Sequence, residues 1–243
     1  MKKLALLVLL VVACEDKHPV EPPKEAGPAA TAVVSAAPPP SKPPLVTVDD
    51  ISVVVSGDRV DFAGPDAKGR LAALIAAKPL VAGETLEVDV LRDTTMPHVE
   101  IVTAALREAK AKGATVKTAR RDRTLGELAV LFDHPPVASC AAVATIAKDD
   151  AVLVWPFGGG TALRYAHGMA GPDITLGSEG LRKLANACES SIYFVSADDS
   201  IKWGMVFDLA VAAHGTADAG AGFRPSSAVV LGKAPVPGRK VSE

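Results

Sequence analysis

The three cysteines are the residues whose chemistry this sequence indicates most clearly. Cys14 directly follows Ala13, which ends an apolar run that begins at Leu4 behind two lysines. A helix rises about 1.5 Å per residue, so this run would reach about halfway across a bilayer core of about 30 Å. Positive charge, a short apolar stretch and a small residue in this order are typical of a cleaved export signal. We therefore expect residues 1–13 to be a signal peptide.

The tetrapeptide Val11-Val12-Ala13-Cys14 resembles the lipobox of bacterial lipoproteins. This resemblance implies that Cys14 receives acyl chains such as palmitate and becomes the first residue of the mature protein. Glu15 stands where an aspartate often retains lipoproteins in the inner membrane, which favours the outer membrane. The alternative is an ordinary signal peptide cut near Ala13, with Cys14 uninvolved. Both interpretations predict an exported protein that faces the periplasm.

The other two cysteines, Cys140 and Cys188, both lie in the C-terminal half of the chain. An even pair in an exported protein predicts a disulfide bond. Two buried free thiols remain the alternative, because the sequence does not give the distance between their Cα atoms.

Other residue types that support catalysis do not form a recognisable constellation. The consecutive glycines Gly158–Gly160 lack the lysine and hydroxyl residue of a phosphate-binding loop. Asp198 and Asp199 are adjacent, so their side chains point in different directions, and capping is the expected role rather than acid–base catalysis. No two histidines have the spacing of metal ligands on a helix: His18, His98, His134, His167 and His214. The sequence thus predicts no catalytic residue, no metal site and no cofactor.

Composition excludes several classes of partner. The formal net charge of −2 and the lack of a long basic tract give no basis for binding nucleic acid. Aromatic residues make up 4% of the chain, too few for base-stacking platforms or aromatic sugar-binding clefts. Residues 14–45 are rich in proline and alanine and have too little clustered apolar surface to fold. We expect them to be a disordered spacer between Cys14 and the folded part.

Residues 46–119 have the periodicity of a small α+β module. Alternating apolar and polar residues predict a hairpin around Gly57. Helical spacing predicts a helix that stops at Pro79, then a strand, a second helix that starts at Pro97, and a last short strand. The predicted order is ββαβαβ.

Residues 138–232 repeat this order, starting from a hairpin around Asp149. Without a gap, the two stretches align Asp93 with Asp198, Met96 with Ile201, His98 with Trp203 and Ile101 with Val206. An internal repeat predicts two modules, here joined by a linker at 120–137 and followed by a flexible tail at 233–243. The alternative is two unrelated units that share a common pattern.

Both modules resemble the periplasmic domain of the ExbD/TolR family of biopolymer transport proteins, components of proton-driven envelope motors. In that family a strand runs into a phrase Ala-Asp-x-x-x-Pro-Tyr-Gly before a long helix. Asp93 and Pro97 keep the acid and the proline in the first module, and Asp198, Trp203 and Gly204 match the acid, aromatic and glycine in the second. The resemblance implies an α+β fold of two tandem ββαβαβ modules, each a small mixed sheet with helices on one face.

The family also has a membrane helix whose buried aspartate takes part in proton flow, since an intramembrane carboxylate is costly. No acidic residue lies between Leu4 and Ala13, so we expect no proton-carrying stator. The expected function is a non-catalytic envelope lipoprotein, anchored through Cys14, that binds peptidoglycan or an envelope motor or transport protein. The two modules are expected to form a pseudo-dimer in cis.

The predicted binding residues stand at the strand-to-helix junctions of the two modules: Asp93, His98, Asp198 and Trp203. For Trp203 the sequence leaves both an exposed and a core position open. The alternative function is a periplasmic cell-wall or small-molecule enzyme that uses the loop 156–172. That function requires a deep cleft in which Arg164, His167 and acidic side chains converge, whereas the envelope function requires a shallow surface.

Overall fold

The described part of the chain comprises residues 42–168, 171–214 and 225–242 of a computed structural model. The predicted signal peptide, Cys14 and all of the predicted spacer before residue 42 lie outside these residues. The elements described below belong to one compact unit, Pro40–Glu243. Within the described ranges, no helix is both long enough and apolar enough to cross a membrane.

Alternating apolar residues form the strands of the first half, defined here as residues 46–119. Its elements are β1 (Val46–Val48), β2 (Ser52–Val55), β3 (Asp58–Asp61), α1 (Ala67–Ala76), β4 (Thr85–Val90), α2 (Met96–Glu108) and β5 (Gly113–Ala119). Ser56 and Gly57 both have positive φ angles, which a tight hairpin turn requires, and they connect β2 to β3. The hairpin predicted around Gly57 is confirmed, and β1 adds a further strand beside it.

The second half, residues 138–232, is built in the same way. Its elements are β7 (Ala142–Ile146), β8 (Val152–Pro156), β9 (Leu163–Tyr165), α3 (Ile174–Cys188), β10 (Ile192–Ala197), α4 (Trp203–His214) and β11 (Ser227–Val230). The Asp173 carboxylate accepts a hydrogen bond of 3.0 Å from the Leu176 N–H and so caps the start of α3.

A strand between the halves, β6 (Leu125–Leu131), joins them into one sheet of 11 strands. The strand order is β3-β2-β1-β4-β5-β6-β11-β10-β7-β8-β9. The predicted fold of one small sheet per module is therefore wrong, although the fold is α+β overall. β6 lies within the segment 120–137 that is predicted as a linker. Buried and exposed residues alternate along it. By pairing with both β5 and β11, β6 satisfies backbone groups that two separate sheets would leave at open edges.

The two halves run in opposite directions within this sheet. β1, β4 and β5 are parallel to one another, β6 is antiparallel to β5, and β11, β10 and β7 are parallel to β6. On either side of β6, the order β3-β2-β1-β4-β5 corresponds to the order β9-β8-β7-β10-β11. The strands of the two halves therefore have the same internal order and run in opposite directions. A two-fold axis perpendicular to the sheet would relate the halves in this way.

Apolar side chains divide into two clusters. The larger cluster joins one face of the whole sheet to residues of all four helices, including Leu71, Leu106, Leu181 and Phe207. The smaller cluster lies on the opposite face of the second half and includes Trp155 and Phe194 together with Val241. Val241 belongs to the C-terminal segment 233–242, so this segment covers the second face of the sheet there.

Candidate functional site

The two strand-to-helix loops that carry the predicted binding residues meet in the structure. We call residues 91–95 and 198–204 together the junction. Thr95 and Lys202 form an antiparallel β-bridge across it. The Trp203 N–H donates to the Thr94 carbonyl oxygen at 2.8 Å, and the Gly204 N–H donates to the Arg92 carbonyl oxygen at 2.9 Å. The loops of Asp93 and Asp198 are thus brought together although more than a hundred residues separate them.

An ion pair between the halves lies beside the junction. The two guanidinium nitrogens of Arg92 donate to the two carboxylate oxygens of Asp208 at 3.0 and 2.8 Å, and this hydrogen bonding raises the pKa of Arg92. A Cβ atom on Gly204 would lie 3.0 Å from Arg92 side-chain atoms. Glycine at this position of the family-like phrase therefore lets α4 approach the first half closely.

Trp203 belongs to the core between the halves. Its ring is 1% exposed, and its indole Nε1 donates to Thr118 Oγ1 at 2.9 Å. Thr118 Oγ1 in turn donates to the Val90 carbonyl oxygen at 2.9 Å. Of the two positions that the sequence left open, the structure has the buried one. A ligand on the surface therefore cannot stack on this ring.

His98, the aligned position in the first half, lies at the surface of the junction. Its ring stacks on Phe62 with centroids 4.1 Å apart, and its Nδ1 shares a hydrogen bond of 3.0 Å with Thr95 Oγ1. Asp50 Oδ1 accepts from the Thr95 N–H at 3.1 Å and lies 3.6 Å from His98 Nδ1 and 3.7 Å from Lys202 Nζ. These groups form an exposed polar cluster that contacts both loops.

The charge of Asp50 is stabilised in this cluster. Partial desolvation acts to raise its pKa, but the hydrogen bond from Thr95 and the charges of Lys202 and His98 outweigh it and lower the pKa below its usual value. Sequence reasoning missed Asp50 and Lys202. The available signal was that Asp50 follows β1, whose carboxyl end lies at the same sheet edge as that of its parallel neighbour β4.

The two acidic residues predicted in the loops, Asp93 and Asp198, have different environments. Asp93 is exposed and Asp198 is half-buried. The Asp198 carboxylate accepts hydrogen bonds from Ser200 Oγ at 2.7 Å and the Ser200 N–H at 3.0 Å, and these bonds lower its pKa. Asp198 therefore stabilises its own loop, while Asp93 is available at the surface.

Cys140 and Cys188 lie at disulfide-bonding distance, with their Cα atoms 5.5 Å apart. Cys188 is the last residue of α3, and Cys140 precedes β7. The bond ties the end of a helix to the beginning of a central strand of the second half. In the part of the chain that the structure describes, no three His, Cys, Asp or Glu residues converge as metal ligands would.

The loop 156–172 holds the C-terminal segment. The Gly160 N–H donates to the Gly238 carbonyl oxygen at 2.9 Å, and the Val241 N–H donates to the Phe157 carbonyl oxygen at 2.9 Å. Gly159 and Gly160 have positive φ, and a Cβ atom on Gly159 would lie 3.0 Å from the Lys240 backbone nitrogen. The three glycines thus permit close backbone packing rather than phosphate binding.

The described residues of the alternative enzymatic site make local contacts. Arg164 pairs with Asp149, and His167 Nδ1 lies 3.0 Å from the Gly168 carbonyl oxygen. A cavity of 480 Å³ between β8, β9 and α3 is lined by neither Arg164 nor His167. Residues 169 and 170 of this loop lie outside the described residues.

Comparison with known proteins identified no relative, because no family model, no curated protein and no solved structure matches the chain.

Proposed function

We propose that this protein is a non-catalytic lipoprotein of the cell envelope that binds the cell wall or an envelope transport or motor protein. Cys14 carries the lipid anchor, preferentially in the outer membrane, and the residues up to 45 hold the folded part away from it. The two halves act as ExbD/TolR-like modules in a cis pseudo-dimer. The observation that carries the proposal is the repeated strand order in which the two family-like loops meet.

The contacts between the halves support the pseudo-dimer. In a pair related by a two-fold axis, a patch on one subunit contacts the same patch on the other. The bridge between Thr95 and Lys202 joins the segments that the sequence alignment makes equivalent. Buried Trp203 and the Arg92–Asp208 ion pair extend this contact. One chain thereby forms in cis what two subunits would form in trans.

The cysteine pair in the second half supports export. Disulfides persist in oxidising compartments such as the periplasm and are rare in the reducing cytosol. The proximity of Cys140 and Cys188 agrees with the export signal predicted from residues 1–13. Both features favour function outside the cytoplasm.

The proposed binding surface is the exposed side of the junction, which we call the junction surface. It comprises the polar cluster of Asp50, His98 and Lys202 together with Ile51 and Leu91, which are 64% and 57% exposed. Apolar anchors among charged groups are the composition that protein interfaces use, with an apolar centre and a polar rim. Because Trp203 is buried, binding depends on these residues instead.

Co-sedimentation with peptidoglycan sacculi tests the binding function. The purified full-length chain is incubated with sacculi and, separately, with detergent-solubilised envelope proteins that are identified after capture by mass spectrometry. We expect Ile51→Glu to weaken binding about tenfold, because a charge replaces an apolar anchor. Leu163→Glu is the matched control, since Leu163 is 54% exposed and belongs to β9, the edge strand of the second half.

Two results would contradict the binding proposal. The first is that neither sacculi nor any envelope protein retains the wild-type chain. The second is that Leu163→Glu weakens retention as much as Ile51→Glu, because the junction surface would then have no special role.

Anchoring is tested separately by metabolic labelling with radioactive palmitate and by membrane fractionation. We expect label and membrane association in the wild type and neither in Cys14→Ala. An unlabelled wild type in the soluble periplasmic fraction would contradict the lipid anchor and leave the binding result unaffected.

Sedimentation of the purified chain tests the pseudo-dimer: we expect a monomer, and an obligate dimer would contradict it.

A further inference from the structure

A second site lies where α2, the ends of β6 and β11, and the C-terminal segment meet. It is a cavity of 510 Å³, within the range of about 300–1,000 Å³ that is usual for small-molecule sites. Its wall includes the buried side chains of Phe132, Leu231 and Val241. None of its lining residues belongs to the junction surface, so the cavity is a separate feature of the molecule.

The cavity is lined by an excess of positive charge. Arg107 comes from α2, and Lys233, Arg239 and Lys240 come from the C-terminal segment. Across residues 42–168, 171–214 and 225–242, no carboxylate lies at ion-pair distance from any of these four cations. The whole chain has a formal net charge of −2, so this concentration of cations is local. A concave site with one sign of charge raises the local concentration of the opposite ion.

The cations of the C-terminal segment are held in place by the second half. The Arg239 carbonyl oxygen accepts a hydrogen bond of 3.0 Å from the indole Nε1 of buried Trp155. On either side of Arg239, the backbone of Gly238 and of Val241 bonds to the loop of the three glycines. Ordering these side chains on binding therefore costs less entropy than it would on a free chain end.

Among the described residues, Glu100 supplies the one carboxylate that lines the cavity. A Cβ atom on Gly232 would lie 2.8 Å from Glu100 Oε1, so this glycine gives the carboxylate its place beside the C-terminal segment. Partial burial raises the pKa of Glu100, as does the charge of Asp199, against the opposing charges of Lys233 and Lys68. An acceptor beside four cations favours a ligand that carries a hydrogen-bond donor as well as anionic groups.

We propose that this cavity binds a small organic anion that carries at least two carboxylate or phosphate groups. The Arg107 guanidinium holds one group through paired N–H donors, and the cations of the C-terminal segment hold another. The apolar wall of Phe132 and Leu231 contacts the carbon skeleton of the ligand. The binding site is distinct from the junction surface and does not depend on the proposed envelope function.

Isothermal titration calorimetry of the full-length chain at low ionic strength tests this site. The probes are citrate for carboxylates and pyrophosphate for phosphates, with acetate as a ligand of one charge. We expect saturable binding of citrate or pyrophosphate that is weakened about tenfold by Arg107→Gln and again by Lys240→Gln. The controls are Arg121→Gln and Lys148→Gln, which remove exposed cations that do not line the cavity. Thermal unfolding of every variant shows whether its fold is retained.

Each outcome decides the matter. Binding of citrate alone would identify carboxylates as the recognised groups, and binding of pyrophosphate alone would identify phosphates. In either case, the site is supported if Arg107→Gln and Lys240→Gln lose affinity while the control variants keep it. Arg107→Lys keeps the charge and should keep part of the affinity. The proposal is overturned if neither probe binds saturably, if acetate binds equally well, or if the control variants lose as much affinity as Arg107→Gln and Lys240→Gln.

Discussion

The two halves of the sheet have the same strand order and yet bury different surfaces. In the second half, β7 and β10 are buried along their whole length, and both sheet faces are covered. In the first half, the face away from the helices carries partly or fully exposed charges: Glu87, Asp89 and Lys117. The covering of the second half includes the C-terminal segment, which lies outside the repeated elements. A repeated topology therefore does not determine which faces of a sheet are buried.

The same contrast holds at the aligned positions of the junction. Trp203 is buried and donates a hydrogen bond into the first half, whereas His98 stacks on Phe62 at the surface. The second half thus supplies the anchor that holds the halves together, and the first half supplies most of the junction surface. If the halves arose from one ancestral module, the buried anchor and the exposed polar cluster have been divided between them.

The strongest test of this division is Trp203→Ala. Truncating a fully buried tryptophan costs about 3–5 kcal/mol of unfolding free energy. It also leaves Thr118 Oγ1 without its indole donor. We expect His98→Ala to cost about 1 kcal/mol, the size of one aromatic pair at a half-exposed site. Urea unfolding monitored by circular dichroism measures both, and equal losses in the two variants would refute the assignment of anchor and surface.

Loss of the disulfide tests whether the halves unfold together. The bond closes a loop of 48 residues within the second half, which corresponds to about 4 kcal/mol by chain entropy. Because β6 and the junction join the halves, we expect Cys140→Ala with Cys188→Ala to lower the stability of both in one transition. Amide hydrogen exchange in β4 and β5 reports on the first half.

Unchanged protection of β4 and β5 in the double variant would mean that the halves unfold independently. A reductant provides the control for this experiment. The reductant should lower the unfolding free energy of the wild type by about as much as the double substitution does, and it should not change the stability of the double variant.

Local periodicity was sufficient to predict most elements but not how they assemble. The hairpin at Gly57 and the helix that starts near Pro97 follow from turn residues and apolar spacing. β6 alternates like any half-buried strand, although the segment 120–137 that contains it is predicted as a linker. Its partner β11 is about a hundred residues away, and such pairing is not encoded in local spacing.

The site shows the same limit. The acid and aromatic positions of the two loops could be identified from their order in the sequence. Whether Trp203 is buried depends on Thr118, 85 residues earlier, which accepts its indole hydrogen. Asp50 and Lys202 were missed because each is an ordinary charged residue until the fold brings it to the junction.

The C-terminal cover of the second half gives a smaller expected effect. Val241 is 3% exposed, so Val241→Ala removes buried methyl groups and should cost roughly 1.5 kcal/mol. Val236 belongs to the same segment but is 61% exposed, and Val236→Ala should change stability by less than about 0.5 kcal/mol. Thermal or urea unfolding compares the two. Equal, small effects would show that the segment does not stabilise the second face.

The smallest expected effect concerns a half-buried histidine of the second half. His214 contacts Tyr193 with ring centroids 5.5 Å apart, and among the described residues its Nε2 has no hydrogen-bond partner. Burial lowers the pKa of His214 below its ordinary value. The folded protein then binds fewer protons than the unfolded chain, so the stability contributed by neutral His214 is complete above a pH of about 6.5 and is lost as the pH falls through the lower folded-state pKa.

His214→Phe keeps a ring against Tyr193 and removes this titration. As the pH falls from 7 to 5, we expect the variant to gain stability relative to the wild type, because only the wild type has a histidine that must be protonated in the folded state. Urea unfolding of both proteins across this range measures the difference. A difference that does not vary with pH, or that favours the wild type at low pH, would show that protonated His214 is accommodated in the folded second half, which would then be less closed around α4 than its burial indicates.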